Sequence, residues 1–169
     1  MPRRELVTKW LSYGILLAVT ALLQRLVLTR ITVWEAVPIL LPLAVSALAV
    51  LEGPVSGAGY GIAVGIVSMY VDGGGAMTVL LGCGAGVSIG LITRYVLRQG
   101  LWGHCLCCAG LLLLHLLWSV GSRWITGVAP LSVLLSVGLP ELLWSLLCAV
   151  PVYYLYRFVY RRWGSAYYA

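Results

Sequence analysis

Six long runs of apolar residues, separated by short polar or glycine-rich segments, account for most of the sequence. Each run is close to the roughly 20 residues that an α-helix needs to cross the hydrocarbon core of a bilayer. We therefore predict six spanning helices. Their expected ranges are 10–28, 33–51, 55–71, 77–97, 101–120 and 139–159.

Glycine and proline mark the expected helix ends. The segments 52–54 (EGP) and 72–75 (DGGG) are turn signals, and Pro38 with Pro42 is expected to kink the second helix. Within the last apolar stretch, residues 128–160, the segment 138–141 (GLPE) predicts a break. A short interfacial or re-entrant piece would then precede the sixth helix, and five spans with such a piece is the alternative.

The overall composition sets the fold class. The 169 residues are 62% hydrophobic and 9% charged, with a mean hydropathy of +1.00, and a water-soluble protein of this length carries far more polar surface. We predict an all-α membrane protein, a bundle of about six transmembrane helices. Residues 1–169 then form a single integral membrane domain surrounded by membrane lipid.

Basic residues are unequally divided between the two sides of the expected bundle. If the N-terminus is inside, the cytoplasmic side carries Arg3, Arg4, Lys9, Arg94, Arg98, Arg157, Arg161 and Arg162, and the outer side carries Arg25, Arg30 and Arg123. Because Lys and Arg concentrate on the cytoplasmic side, both termini are predicted to be cytoplasmic. The net charge of +6 is scattered along the chain, so no nucleic-acid partner is expected.

Glycine recurs at every fourth position in the third and fourth expected helices. The first row is Gly53, Gly57, Gly61 and Gly65, and the second row is Gly82, Gly86 and Gly90. In lipid, close contact between helices depends on small residues and on weak Cα–H···O bonds. Either the two helices pack on each other or on a neighbour, or the smooth faces bind a transmembrane helix of another protein. Both interpretations can hold, one for each face.

Two motifs that suggest catalysis or metal binding are rejected on geometry. The segment 86–90 (GVSIG) matches the G-x-S-x-G nucleophile elbow, but its glycines continue a helical row and do not form a sharp turn. The segment 104–108 (HCLCC) lies on a helix, where neighbouring side chains point in different directions and cannot share one ion. We expect no enzyme, no cofactor and no metal site, and five cysteines that remain free thiols.

Three ionisable residues are candidates for roles within the membrane, where such side chains are costly. Asp72 follows the third helix, and His115 lies deep in the fifth, where we expect a neutral histidine bonded across the bundle. Glu141 follows Pro140 directly. It either enters the membrane region or occupies the first turn of the sixth helix, where the helix dipole favours an acidic residue, and we favour the second role.

Residues 41–97 resemble the rod shape-determining protein MreD family. The features shared with that family are the apolar run, the EGP turn, the glycine helix GAGYGIAVGIVSMYVDGGG and a second glycine-bearing helix. The chain length, the basic N-terminus and the final segment PELLWSLLCAVPVYYLYRFVYRR are similar to the family as well. Members tend to place an acidic residue at the position of Met69, and here Asp72 follows three residues later.

The resemblance implies a non-enzymatic scaffold subunit in the bacterial plasma membrane. Its partners would be an MreC-like bitopic protein, an MreB-like actin homologue and the wall synthases of the cell-elongation complex. It also implies a fold similar to the substrate-binding subunits of energy-coupling-factor vitamin transporters, which makes such a subunit the alternative. That function needs a pocket with several polar groups near the outer face. The expected contributors are Gln24, Trp34, Asp72, Arg123 and Trp124.

Overall fold

The computed structural model describes residues 3–28, 39–71, 76–96, 100–127 and 130–163. Within these ranges the chain is helical and contains no strand, so the predicted all-α class is confirmed. In chain order the helices α1 to α6 are Arg3–Leu22, Leu41–Glu52, Pro54–Val71, Met77–Tyr95, Leu101–Ile125 and Leu131–Trp163. A π-helix, Leu23–Leu28, extends α1.

Among the described residues, four segments are long and apolar enough to cross a membrane. They are Val7–Leu26, Met77–Tyr95, Leu101–Ile125 and Leu131–Arg162. Large apolar side chains are exposed along all four, as expected for helices whose backbone polar groups are satisfied internally and whose surface meets lipid. The second predicted span is described only from residue 39 onwards, where α2 has 12 residues, and its residues 33–38 lie outside the described ranges.

Successive helices run antiparallel, which gives the bundle two distinct ends. Lys9, near the start of α1, pairs with Glu52 at the end of α2, and Gln24 in the π-helix bonds to Leu40 just before α2 begins. We call these the Lys9 end and the Gln24 end. The helices α1, α3 and α5 begin at the Lys9 end, whereas α2, α4 and α6 begin at the Gln24 end.

The short helix α2 lies at the centre of the bundle. Nearly all of its residues are buried, and it contacts each of the other five helices. Its first turn is capped from α1, because Gln24 Oε1 accepts hydrogen bonds from the backbone N–H groups of Leu40 and Leu41 at 3.1 and 3.2 Å. Pro42 lies in that first turn, where its missing donor costs nothing. Pro42 therefore lies at the start of α2 and not inside it, and Pro38, the other proline of the expected kink, lies outside the described residues.

The last helix, α6, is continuous over Leu131–Trp163, so the predicted break at 138–141 is wrong. Pro140 and Pro151 lie inside it, and each removes one backbone hydrogen bond. α6 packs against α5 on both sides of Pro140, and neighbouring helices allow proline inside membrane helices in this way.

Two contacts hold α6 against α5, one on each side of Pro140. Before Pro140, Gly138 lies against the side chain of Leu116 on α5. After it, His104 Nε2 lies 3.2 Å from the carbonyl oxygen of Ala149. Glu141 therefore lies in the interior of a helix, and the helix-start role that the sequence favoured for it is wrong.

Candidate functional site

The two glycine rows face each other across the interface of α3 and α4. A Cβ atom on Gly61 would overlap the carbonyl oxygen of Gly82, and one on Gly86 would overlap that of Gly57. A Cβ on Gly65 would lie 2.5 Å from the Cα of Val79. The two backbones are thus in contact with no side chain between them, which only glycine permits.

Gly53 and Gly90 close the same interface at the Lys9 end. Gly53 joins α2 to α3 with a φ of 90°, a conformation that side chains disfavour. A Cβ on Gly90 would lie 2.5 Å from the backbone nitrogen of Pro54. The glycine-lined faces of α3 and α4 are therefore covered within the chain, and a partner's helix would have to bind elsewhere.

A buried ion pair joins α1 to α2 at the Lys9 end. Lys9 Nζ lies 2.9 Å from Glu52 Oε2, and Tyr13 donates a hydrogen bond of 2.6 Å to Glu52 Oε1. The side chains of Lys9 and Glu52 are only 9% and 4% exposed. The sequence had suggested a topological role for Lys9 and a turn at Glu52, and it missed this pairing. The two charges lie at the ends of predicted apolar segments, 43 positions apart, and nothing local in the sequence links them.

Further polar contacts bind α3, α5 and α6 together towards the same end. The hydroxyl oxygens of Tyr60 and Tyr156 are 2.5 Å apart. On α5, His104 is fully buried, stacks on Tyr153 and lies 3.4 Å from Cys108 Sγ. Among the described residues, no buried side-chain nitrogen or oxygen lacks a hydrogen-bond partner. This end of the bundle is a closed, fully satisfied core.

The Gln24 end is open by contrast and contains two adjoining cavities. One, of about 430 Å³, lies between α5 and α6, and the other, of about 370 Å³, separates α5 from the α3–α4 pair. Ile39, His115 and Glu141 line both cavities. His115 is exposed, whereas His104 is buried, with its Nε2 atom 3.2 Å from the carbonyl oxygen of Ala149 on α6.

A row of polar residues on α5 faces Glu141 across the larger cavity. His115, Ser119 and Arg123 recur at every fourth position and so share one helix face. His115 lies ten residues before the end of α5 and Glu141 ten residues after the start of α6, which places both about 15 Å from the Gln24 end. If the Gln24 end lies at the boundary of a bilayer core about 30 Å thick, both residues lie near its middle, where an ionisable side chain is usually functional or paired.

The other residues that the sequence suggested for a ligand pocket lie in several places. Gln24 lines the smaller cavity but uses its oxygen to cap α2, whereas Arg123 lines the larger one. Trp124 is exposed and is absent from the lining of both cavities. Asp72 and Trp34 lie outside the described residues.

The motifs rejected on geometry are indeed helical in the structure. Ser88 of the G-x-S-x-G match lies on the exposed face of α4 and donates a 2.7 Å hydrogen bond to the carbonyl oxygen of Gly84 within the helix. Within the described ranges, no three His, Cys, Asp or Glu side chains are placed to hold one metal ion. The cysteines of the segment 104–108 point to different neighbours: Cys107 towards Thr93 and Cys108 towards Ser46.

The candidate site is therefore the Glu141 cavity, by which we mean the larger cavity with Glu141 on α6 and the row His115, Ser119 and Arg123 on α5. The sequence named three of these residues singly and not as a group. The four-residue spacing on α5 is the signal that connects them. Comparison of the chain with protein-family models, curated proteins and solved structures found no match. The function must be inferred from the residues of the chain and their geometry.

Proposed function

We propose that this chain is a scaffold subunit of the bacterial cell-elongation complex, in the plasma membrane and without enzymatic activity. The resemblance of residues 41–97 to MreD carries the proposal. The partners it implies are an MreC-like bitopic protein, an MreB-like actin homologue and wall synthases. The proposed topology has six spans with both termini in the cytoplasm, which puts the Lys9 end inside and agrees with the excess of Lys and Arg on that side.

The exposed face of α4 supports a role in helix assembly. While the inner row of glycines contacts α3, Gly84 and Ser88 lie on the opposite face, and a Cβ on Gly84 would meet nothing within 4 Å. The hydroxyl of Ser88 is already bonded within α4, so this face presents no unsatisfied polar group. Exposed Leu80 and Leu91 flank it. A small-residue patch between leucines is a surface on which a second transmembrane helix packs closely.

The proposal is tested by depletion and by co-purification. Loss of the protein should round or widen a rod-shaped host, and the tagged protein should co-purify with a single-span MreC-like protein. Gly84→Leu should reduce that co-purification, because it fills the exposed patch on α4 without touching the α3 interface. Gly110→Leu on α5 is the matched control, since Gly110 is also exposed with open space around it. Normal cell shape after depletion would overturn the proposal.

The two cavities at the Gln24 end favour a second candidate, the substrate-binding subunit of an energy-coupling-factor vitamin transporter. On the proposed topology they face the outer side, and their volumes of about 430 and 370 Å³ are in the range of small-molecule sites. This candidate predicts a vitamin that stays bound through purification. Mass spectrometry of the denatured protein would detect it. A host of normal shape with a bound vitamin would select this function over the scaffold.

A further inference from the structure

The Glu141 cavity separates two opposite charges that do not touch. Arg123 on α5 and Glu141 on α6 both line it and interact electrostatically across it. Within the described residues they form no direct ion pair, in contrast to Lys9 and Glu52. The structure thus holds a guanidinium and a carboxylate on opposite sides of an open space.

The directions of the two helices aim these side chains at the same space. Side chains lean towards the N-terminus of their own helix. Arg123 lies near the end of α5, so it leans away from the Gln24 end, whereas Glu141 leans towards that end from deeper in α6. Each charge therefore points along the cavity towards the other. An occupant that carries both signs of charge would complement both side chains.

The rest of the lining fits an occupant with an apolar part. Leu112 and Leu116 from α5 and Val133, Leu134 and Val137 from α6 form most of the wall. Val133 and Val137 are 50% and 44% exposed, so the cleft between α5 and α6 is open on its side towards lipid. A hydrocarbon chain can lie there at no cost in desolvation, because the wall is as apolar as the membrane.

We propose that the Glu141 cavity binds a zwitterion, with its ammonium group against Glu141 and its anionic group against Arg123. An ammonium has three donors for a carboxylate and no acceptor, and a guanidinium binds phosphate or carboxylate through two parallel hydrogen bonds. The same chemistry has two possible sources, the headgroup of phosphatidylethanolamine or a soluble zwitterion. This site is independent of the exposed patch on α4, so it goes beyond the scaffold function.

The experiment measures retained lipid and bound soluble zwitterion separately. The protein is reconstituted in nanodiscs of equal parts phosphatidylethanolamine and phosphatidylglycerol, released into the gas phase, and the lipid it keeps is identified by native mass spectrometry. Delipidated protein in detergent is titrated with phosphoethanolamine. In the wild-type chain we expect phosphatidylethanolamine to be retained over phosphatidylglycerol by about tenfold. Phosphatidylglycerol has no ammonium group and therefore lacks the charge-assisted contact with Glu141.

Three substitutions make the test specific. Glu141→Gln and Arg123→Gln should each remove that preference, and Arg123→Lys should restore part of it because the charge is kept. Arg94→Gln is the matched control, since Arg94 is an exposed arginine on α4 outside both cavities. Melting temperatures of all variants must stay near that of the wild type. If Arg123→Gln does not fold, Arg123→Lys takes its place, because it is expected to show a weaker preference than the wild type.

Each outcome decides the proposal. Retention of phosphatidylethanolamine that depends on Glu141 and Arg123 supports it and identifies the lipid headgroup as the source. Binding of phosphoethanolamine with the same dependence, without lipid retention, supports it with a soluble source. It is overturned if neither probe binds, or if binding is unchanged in Glu141→Gln and Arg123→Gln. Co-purification of a single-span partner is expected to be unchanged in both variants, so failure here leaves the scaffold proposal standing.

Discussion

The helix pairs α3–α4 and α5–α6 are both antiparallel and apolar, yet they pack in opposite ways. In the first pair, glycines at every fourth position let the two backbones touch, and no space remains between them. In the second pair, Gly138 meets the large side chain of Leu116, and a cavity of about 430 Å³ opens beside that contact. Both pairs are apolar, so the contrast between them follows from residue size at the interface and not from hydrophobicity.

The same contrast holds for the carboxylates at the two ends of the bundle. Glu52 is buried, and both of its oxygens have direct partners in Lys9 and Tyr13. Glu141 is half-buried beside an open space, with Arg123 at a distance. Removal of either partner of a buried ion pair destabilises the fold, whereas a carboxylate that faces a cavity is available to a ligand. We therefore interpret the closed regions as structural, and we place the proposed binding site in the open one.

Gly61→Leu should break the closed pair outright. A Cβ atom alone overlaps the backbone of Gly82, and backbone cannot rotate away as a side chain can, so the helices must separate along their length. We expect a destabilisation of about 3 kcal/mol or more and little folded protein. Thermal unfolding in detergent, followed by circular dichroism and size-exclusion chromatography, measures it.

Gly84→Leu provides the matched control for that prediction. It makes the same chemical change on the same helix pair, but at a position with open space around it. The purified chain carrying it should fold as well as the wild type. Equal loss of folded protein in both variants would mean that the glycine rows do not hold α3 against α4.

Glu52→Gln and Glu141→Gln should separate the two kinds of carboxylate. The first removes the negative charge that faces the buried ammonium of Lys9, and breaking a buried ion pair in this way costs about 3 to 5 kcal/mol. The second removes a charge that has no direct ion pair among the described residues, so stability should change by less than about 1 kcal/mol. Chemical denaturation in mixed micelles gives both values.

A double variant checks the cause of the larger effect. Lys9→Met combined with Glu52→Leu removes both charges, and the loss should be smaller than with Glu52→Gln alone, because no charge remains buried without a partner. If the double variant is as unstable as the single one, packing around Glu52 and not its charge is what matters.

The closed pair could be predicted from the sequence because its signal is local. Glycine at every fourth position places all the small residues on one helix face, and the ends predicted for α3 and α4 lie within two residues of those observed. The ion pair could not be predicted, because Lys9 and Glu52 are 43 positions apart and each sits at a helix end, where a charge needs no special explanation.

The open pair was mispredicted for two physical reasons. Taken alone, Pro140 predicts that a helix starts there. In the structure α6 packs on α5 and continues through Pro140, and this tertiary packing places Glu141 inside the helix. The inward face of α5 is also hidden in the sequence. In lipid a helix is apolar on all sides, so hydropathy does not reveal that His104 is buried while His115 is exposed.

The smallest expected difference between the α5–α6 and α3–α4 pairs is tested by comparing Gly138→Ala with Gly65→Ala. A Cβ on Gly138 would meet the Cδ1 atom of Leu116, which can move into the adjoining cavity, whereas a Cβ on Gly65 would meet the Cα of Val79 at 2.5 Å. Inside a helix, alanine is also more favourable than glycine by about 1 kcal/mol. We therefore expect Gly138→Ala to change the free energy of unfolding by about 0.5 kcal/mol or less, and Gly65→Ala to lower it by about 2 kcal/mol. A loss at Gly138 as large as that at Gly65 would mean that α5 and α6 are held as rigidly as α3 and α4, and the cavity between them would then be too stiff to admit an occupant larger than itself.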